Sequence, residues 1–390
     1  MATLYIHIGT PKTGTTAIQN FLLLNEEELK KHGVVHPHVE FEHMREKFKS
    51  RRNGNFLVYK SLLMGEEKER EEQQVYQYGF EVIKREAQRA EKIVISDEAI
   101  WYRQSSKENF WSEIRKDAEA AGCELKVVVY LRRQDLLAQA EWNQSIKYET
   151  RSSSTFKKYL KSSALKRRNL DYYQALTDIA ACVGKDNLIV RVFQKDIFLR
   201  SQEGIYGDFL EAIGEKMQEE YGIPLESQNE RLDGNFIEIK RLINQIPEYK
   251  EMPTDFIYQP ILRANSLKTP EKVSYFGYGE QVKFLRQFEE SNRRVAKEFL
   301  GQKDGVLFSD EVEKLPKWEI DKDTMYQDII HLYAELAVEQ HNRILAMSER
   351  LRALEREVHN PLVHMAVMAR KIAGKFARMF HLGDSNMQKE

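Results

Sequence analysis

Cysteine is scarce in this chain: 390 residues carry two, Cys123 and Cys182. Neither has CxxC or metal-ligand spacing, and two buried thiols in a reducing compartment are expected in preference to a disulfide. No run of about 18 apolar residues occurs, so no membrane-spanning helix is expected. Charge of one sign is also lacking. With 60 basic and 61 acidic residues the net charge is −1, and such a chain has no overall attraction for nucleic acid or an anionic membrane. Internal repeats and low-complexity tracts are absent. The first strand-like run begins at Leu4 with no charged leader before it, which makes the cytoplasm the expected location. What remains is 42% hydrophobic and 31% charged, enough to bury the core of one large α/β domain with additions, or of two domains.

One stretch organises the rest. Leu4 to Ile8 is an apolar run long enough for one strand, and Gly9 breaks it. Pro11-Lys12-Thr13-Gly14-Thr15-Thr16 is a small-residue turn with a single cation, and Ala17, Ile18, Phe21 and Leu22 then recur at helical spacing. Strand, loop and helix in that order form an anion cradle. The first backbone N–H groups of a helix have no partners, and the helix dipole adds positive charge there. Gly9 and Gly14 have the spacing of a Walker loop, but Thr15 stands where that loop has its Lys, and the cation has moved forward to Lys12. This departure counts against an ordinary nucleotide triphosphatase.

Further strands are expected at Lys92–Glu98, with polar groups at its C-terminal end, and at Leu125–Leu131 and Leu188–Phe193, all short continuous runs. A short extended piece, Val34 to Glu40, precedes them. Helical spacing fills the intervals, around Val75–Ala90, Ser105–Ala121, Leu136–Lys147 and Leu170–Val183. Gly65 to Glu72 reads as a charged, solvated run. Helices are also expected at Tyr206–Gly214, Phe236–Ile246 and Gly279–Leu300. Alternating strands and helices predict a parallel β-sheet flanked by helices.

The tail differs. Tyr326, Ile330, Tyr333, Ala337, Gln340, Ile344, Met347, Leu351, Leu354 and Val358 step by four and three alternately, a heptad seam with one polar member. Ile329, Leu332 and Leu336 widen its first half, which predicts packing on the domain. Its second half is narrower and flanked by charge. It reads equally as a projecting coiled coil, through which a homodimer could form, or as a helix folded back on its own chain. Asn360-Pro361 ends it. Residues 361–382 hold no acid before Leu382 and interleave Val363, Ile372 and Phe376 with Arg370, Lys371 and Lys375. That is a basic amphipathic helix, for packing, for dimer contact, or for resting peripherally on the inner face of a membrane. The expected divisions are 1–315, 322–358 and 361–382.

The loop Pro11-Lys12-Thr13-Gly14-Thr15-Thr16 closely resembles the 5′-phosphosulfate-binding loop of sulfotransferases that use 3′-phosphoadenosine 5′-phosphosulfate (PAPS). Val127 to Gln144, VVVYLRRQDLLAQAEWNQ, resembles the same family's 3′-phosphate-binding element, where an Arg at the strand end and a Ser eight residues on hold the phosphate. Arg132 matches the Arg. The Ser position is Ala140, so Arg133, Gln139, a backbone N–H or water must supply the missing contact. Trp142 and Gln144 look like a bacterial branch, and weaker likenesses bring the span of the resemblance to roughly residues 3–310.

The resemblance implies a P-loop NTPase-like sulfotransferase fold and transfer of a sulfuryl group from PAPS to a hydroxyl or amine, with a carbohydrate acceptor favoured and no metal required. Lys12 would neutralise the leaving bisphosphate, and Thr13 to Thr16 would hold the 5′-phosphate. The general base of the family is a Glu or His. Glu98, at the end of the second long strand, is favoured over His36 and Glu40, which lie one helix after the loop. The runners-up are a P-loop phosphotransferase or kinase and a non-catalytic scaffold. No nucleic-acid partner is expected.

Overall fold

The computed structural model describes residues 1–39, 53–59, 66–103, 109–148, 150–166, 169–194, 198, 203–224, 232–253, 255–269 and 271–358. Glu40 and the basic segment 361–382 lie outside them. The chain divides into two compact units. One is Met1–Glu251 with Pro270–Glu319, and the other is Met252–Thr269 with Ile320–Glu390. The segment 252–269, which the sequence reading places inside 1–315, thus packs with the long C-terminal helix.

The first unit is built on five parallel strands. They are β1 (Ala2–His7), β2 (Val34–Val35), β3 (Lys92–Ser96), β4 (Cys123–Leu131) and β5 (Leu188–Val192), in the order β2-β3-β1-β4-β5. β1 is central. Leu4 pairs with Ile93 of β3 on one side and with Leu125 of β4 on the other. Successive side chains of a strand face opposite ways, and the two faces have separate cores. Leu4, Ile6, Ile93, Ile95, Val127 and Val129 face a layer that includes Tyr76 and Phe80, Ile114, and Tyr172 and Leu176 from three different helices. Tyr5, Val94, Val128 and Tyr130 face Ile18, Phe21 and Leu22 of α1 (Thr15–Leu24) together with Phe209 and Leu210. Burial on both faces is why these strands read as continuous apolar runs rather than as alternating ones.

The order places the start of α1 at a topological switch point. The chain leaves β1 with β3 on one flank and β4 on the other, and open α/β sheets bind ligands in the crevice beyond the strand ends at such a point. The observed fold is the parallel sheet with flanking helices that the sequence predicts.

Some elements differ from the reading. The charged run up to Glu72 is not a solvated loop: from Glu66 it is the start of the helix Glu66–Glu86. The helix Asp255–Ser266 has no counterpart in the sequence reading, and it carries Pro260 inside it. The long helix runs Lys322–Val358. Its buried face is Met325, Asp328 and Leu332, whereas Ile329 is 45% exposed. Both cysteines are free, Cys123 buried and Cys182 half-buried, and burial pushes the Cys123 thiol up from its ordinary value. Among the described residues no helix is long and apolar enough to cross a membrane, and no cluster of metal-binding side chains occurs.

Candidate active site

The loop is anchored at its root by the sheet. Ile8 N–H donates to the Val128 carbonyl and Thr10 N–H to that of Tyr130, both at 2.9 Å, while Asp97 N–H donates to the His7 carbonyl at 3.0 Å. Beyond this root the backbone turns twice through the left-handed region, at Lys12 (φ 66°) and Gly14 (φ 79°). Glycine adopts that region without strain. A Cβ at Gly14 would also stand 2.4 Å from Ile205 Cδ1. Thr13 Oγ1 closes the turn by donating to the Thr10 carbonyl at 2.5 Å.

The start of α1 is uncapped. No side chain accepts from its first N–H groups and no acid lies in its first turn. The first intrahelical bond runs from Ile18 N–H to the Gly14 carbonyl, at 3.0 Å. Beside it lies a set of buried polar atoms without hydrogen-bond partners: His7 Nε2, Thr10 Oγ1, Thr15 Oγ1 and Arg132 Nε. His7 and Thr10 are fully buried, and Thr15 is 4% exposed. Three polar atoms converge on the space in front of Gly9, where an added Cβ would meet Thr13 Oγ1 and Thr15 Oγ1 at 3.0 Å and His7 Nε2 at 3.2 Å. Unsatisfied buried donors are costly, and a bound anion is the partner that suits an uncapped helix N-terminus.

The cations come from two elements. Lys12 is exposed and its Nζ donates to Gln144 Oε1 at 2.5 Å. Arg132, just past the end of β4, donates through Nη1 to the Lys12 carbonyl at 2.7 Å, and its guanidinium lies 5.8 Å from the Phe193 ring centre. Burial lowers its pKa from the usual arginine value. The loop Lys and the strand-end Arg, 120 residues apart in the chain, are thus brought together. Pro11 and Thr13 are buried and Thr16 is exposed.

Other candidates fall elsewhere. Arg133 is committed to Asp135, at 2.8 and 3.1 Å, and to Asp310, at 2.7 Å. Gln139 accepts from Tyr275 N–H at 2.8 Å and from Ser274 Oγ at 3.2 Å. Neither is placed to replace the hydroxyl missing at Ala140, which is half-buried on the helix Gln134–Lys147. His36 is buried, with Nδ1 3.1 Å from the Val94 carbonyl beside Asn53, a packing role against β3. Glu98 is half-buried in the turn from β3 to the helix Ala99–Arg103. Its neighbour Asp97 accepts from Ala99 N–H at 2.8 Å.

The sequence pattern does not single out His7, because a lone His inside an apolar run reads as strand core. Its Nδ1 lies 3.0 Å from Ser96 Oγ. Gln19 Nε2 donates to the same Oγ at 3.2 Å. Burial lowers the His7 pKa to about 3, so the ring is neutral.

The fold and the loop define an open parallel α/β protein with an uncapped helix start and unpartnered buried polar atoms between β1 and α1. No protein-family model matches this chain. It is 26% identical over 246 residues to an uncharacterized protein of Archaeoglobus fulgidus, covering 62% of each chain, so it spans under two thirds of that relative's length. A sulfotransferase crystal structure from Alicyclobacillus acidocaldarius aligns with 59% of this chain and 87% of its own, at 14% identity and a TM-score of 0.36.

Proposed function

We propose that the chain is a PAPS-dependent sulfotransferase acting on a hydroxyl or amine, with a carbohydrate as the favoured acceptor. The observation that carries this reading is the placement of cation and anion donors around α1. Thr15, where a Walker loop has its Lys, is 4% exposed with a buried hydroxyl that lacks a partner. The cation sits instead at Lys12, on the exposed side of the loop.

The residues fit the donor. The N–H groups of Thr13 to Thr16 and the Thr15 hydroxyl would hold its 5′-phosphate, and Arg132 its 3′-phosphate. When bound, PAPS supplies the sulfuryl group that the acceptor receives. Lys12 has the charge to offset what develops on the leaving oxygen, and such preorganised charge is the main lever in transfers of this kind. Glu98, beyond the end of β3, is the proposed base for the acceptor proton.

Calorimetric titration with adenosine 3′,5′-bisphosphate and with AMP tests this. The bisphosphate should bind at least tenfold tighter, about 1.4 kcal/mol. Equal binding of the two, or no binding, would overturn the reading. Magnesium-dependent nucleotide turnover would instead support a phosphotransferase.

A further inference from the structure

The long helix Lys322–Val358 carries two heptad stripes on opposite faces. Met325, Asp328, Leu332, Glu335 and Glu339 form one, and it is used within the unit. Lys268 pairs with Asp328 at 2.7 Å, Arg263 pairs with Glu335 at 3.0 Å and also with Glu339, and the Arg343 guanidinium stands 5.2 Å from the centre of the Phe256 ring. The helix Asp255–Ser266 and the residues just after it therefore occupy this side. The other stripe is the 3.5-residue seam. Its members Ile330, Tyr333, Ile344, Met347, Leu351 and Leu354 are 50–73% exposed. Helices gain most of their stability by burying an apolar face, and this face is in water.

We propose that a second copy of this chain covers the seam, forming a parallel two-stranded coiled coil. A strict seven-residue repeat keeps two helices in contact along one supercoiled line, and the flanking residues are self-complementary in parallel register. Arg350 precedes a seam residue and Glu355 follows one, five residues on, so each Arg350 reaches Glu355 of the second copy, twice by symmetry. In parallel register Gln340 of one copy stands level with Gln340 of the other. The interface is independent of what the anion loop binds.

Sedimentation of the full chain at micromolar concentration should give twice 45.9 kDa. The double variant Ile344→Asp, Leu351→Asp should sediment as a monomer, while Asn342→Asp on the opposite face should remain dimeric. The seam side chains are exposed, so the double variant leaves both units packed, and an unchanged near-ultraviolet circular dichroism spectrum checks this. Mild oxidation of Leu354→Cys should cross-link the two copies, which only parallel register permits. A monomeric wild-type chain would overturn the proposal and point to a covering segment of the chain itself. A dimer unaffected by the double variant, or a trimer, would overturn it as well.

Discussion

Arg132→Ala deletes a guanidinium that donates to the Lys12 carbonyl at 2.7 Å, lies 5.8 Å from the Phe193 ring centre and keeps its Nε buried without a partner. The charged hydrogen bond is worth about 1.5–3 kcal/mol and the ring contact about 0.5–1 kcal/mol. Removing a partly buried charge returns some of that, as its depressed pKa indicates. The net loss of folding stability should therefore be small, about 1–2 kcal/mol. Ligand binding separates two roles that the stability does not. If Arg132 reads a 3′-phosphate, adenosine 3′,5′-bisphosphate loses about 1.5–3 kcal/mol, roughly 10- to 150-fold in Kd. AMP lacks that phosphate and loses only what the slackened loop costs. Calorimetry of both ligands on both proteins, beside urea melts, gives the comparison. The bisphosphate preference should collapse in the variant. Equal losses for the two ligands would refute phosphate reading and leave Arg132 as a prop for the loop. Arg132→Lys keeps the charge without the planar fork and should fall between.

Three further outcomes are expected. Ala140→Ser restores a hydroxyl on the helix Gln134–Lys147 and should tighten bisphosphate binding by about 1 kcal/mol with AMP unchanged; calorimetry reads both. His7 titrates at about 3 in the folded chain against an ordinary 6.5, so the unfolded chain takes up the proton first. Its contribution is fully present above pH 6.5 and is lost as pH falls towards 3, by up to about 1.4 kcal/mol per pH unit. Between about pH 7 and pH 4.5 wild type should lose about 2–3 kcal/mol more than His7→Gln in urea melts, and parallel losses would refute the buried neutral ring. Gly79→Ala should destabilise by about 1–3 kcal/mol, although alanine ordinarily favours a helix over glycine by about 1 kcal/mol, because the new Cβ would lie 2.3 Å from the Phe56 ring. An unchanged urea midpoint would show that the Phe56 ring yields.

The sheet was legible where burial on both faces wrote itself into the chain, as at Leu125–Leu131. β2 was harder, since its pairing is only two residues long. The helix Asp255–Ser266 escapes the sequence pattern because Pro260 lies inside it and its packing partner is the long helix some 70 residues on, where Arg263 meets Glu335. In the site, the loop and Arg132 were readable because strand, turn and helix are contiguous there. The fates of Arg133 and Gln139 were not, since Asp310 and Tyr275 lie 177 and 136 residues away. His7 shows the same limit in reverse. Its position fits a core strand, and its polar partner, Ser96, lies 89 residues on.

Lys12 stands at φ 66°, a conformation that costs a residue with a side chain roughly 1–2 kcal/mol. It is also the single cation between Gly9 and Thr16. Glycine at this position would relax the backbone and remove the charge in one step. A laboratory selection for heat resistance alone would therefore be drawn towards Lys12→Gly, and the sturdier chain it returned would have lost the one cation of that loop.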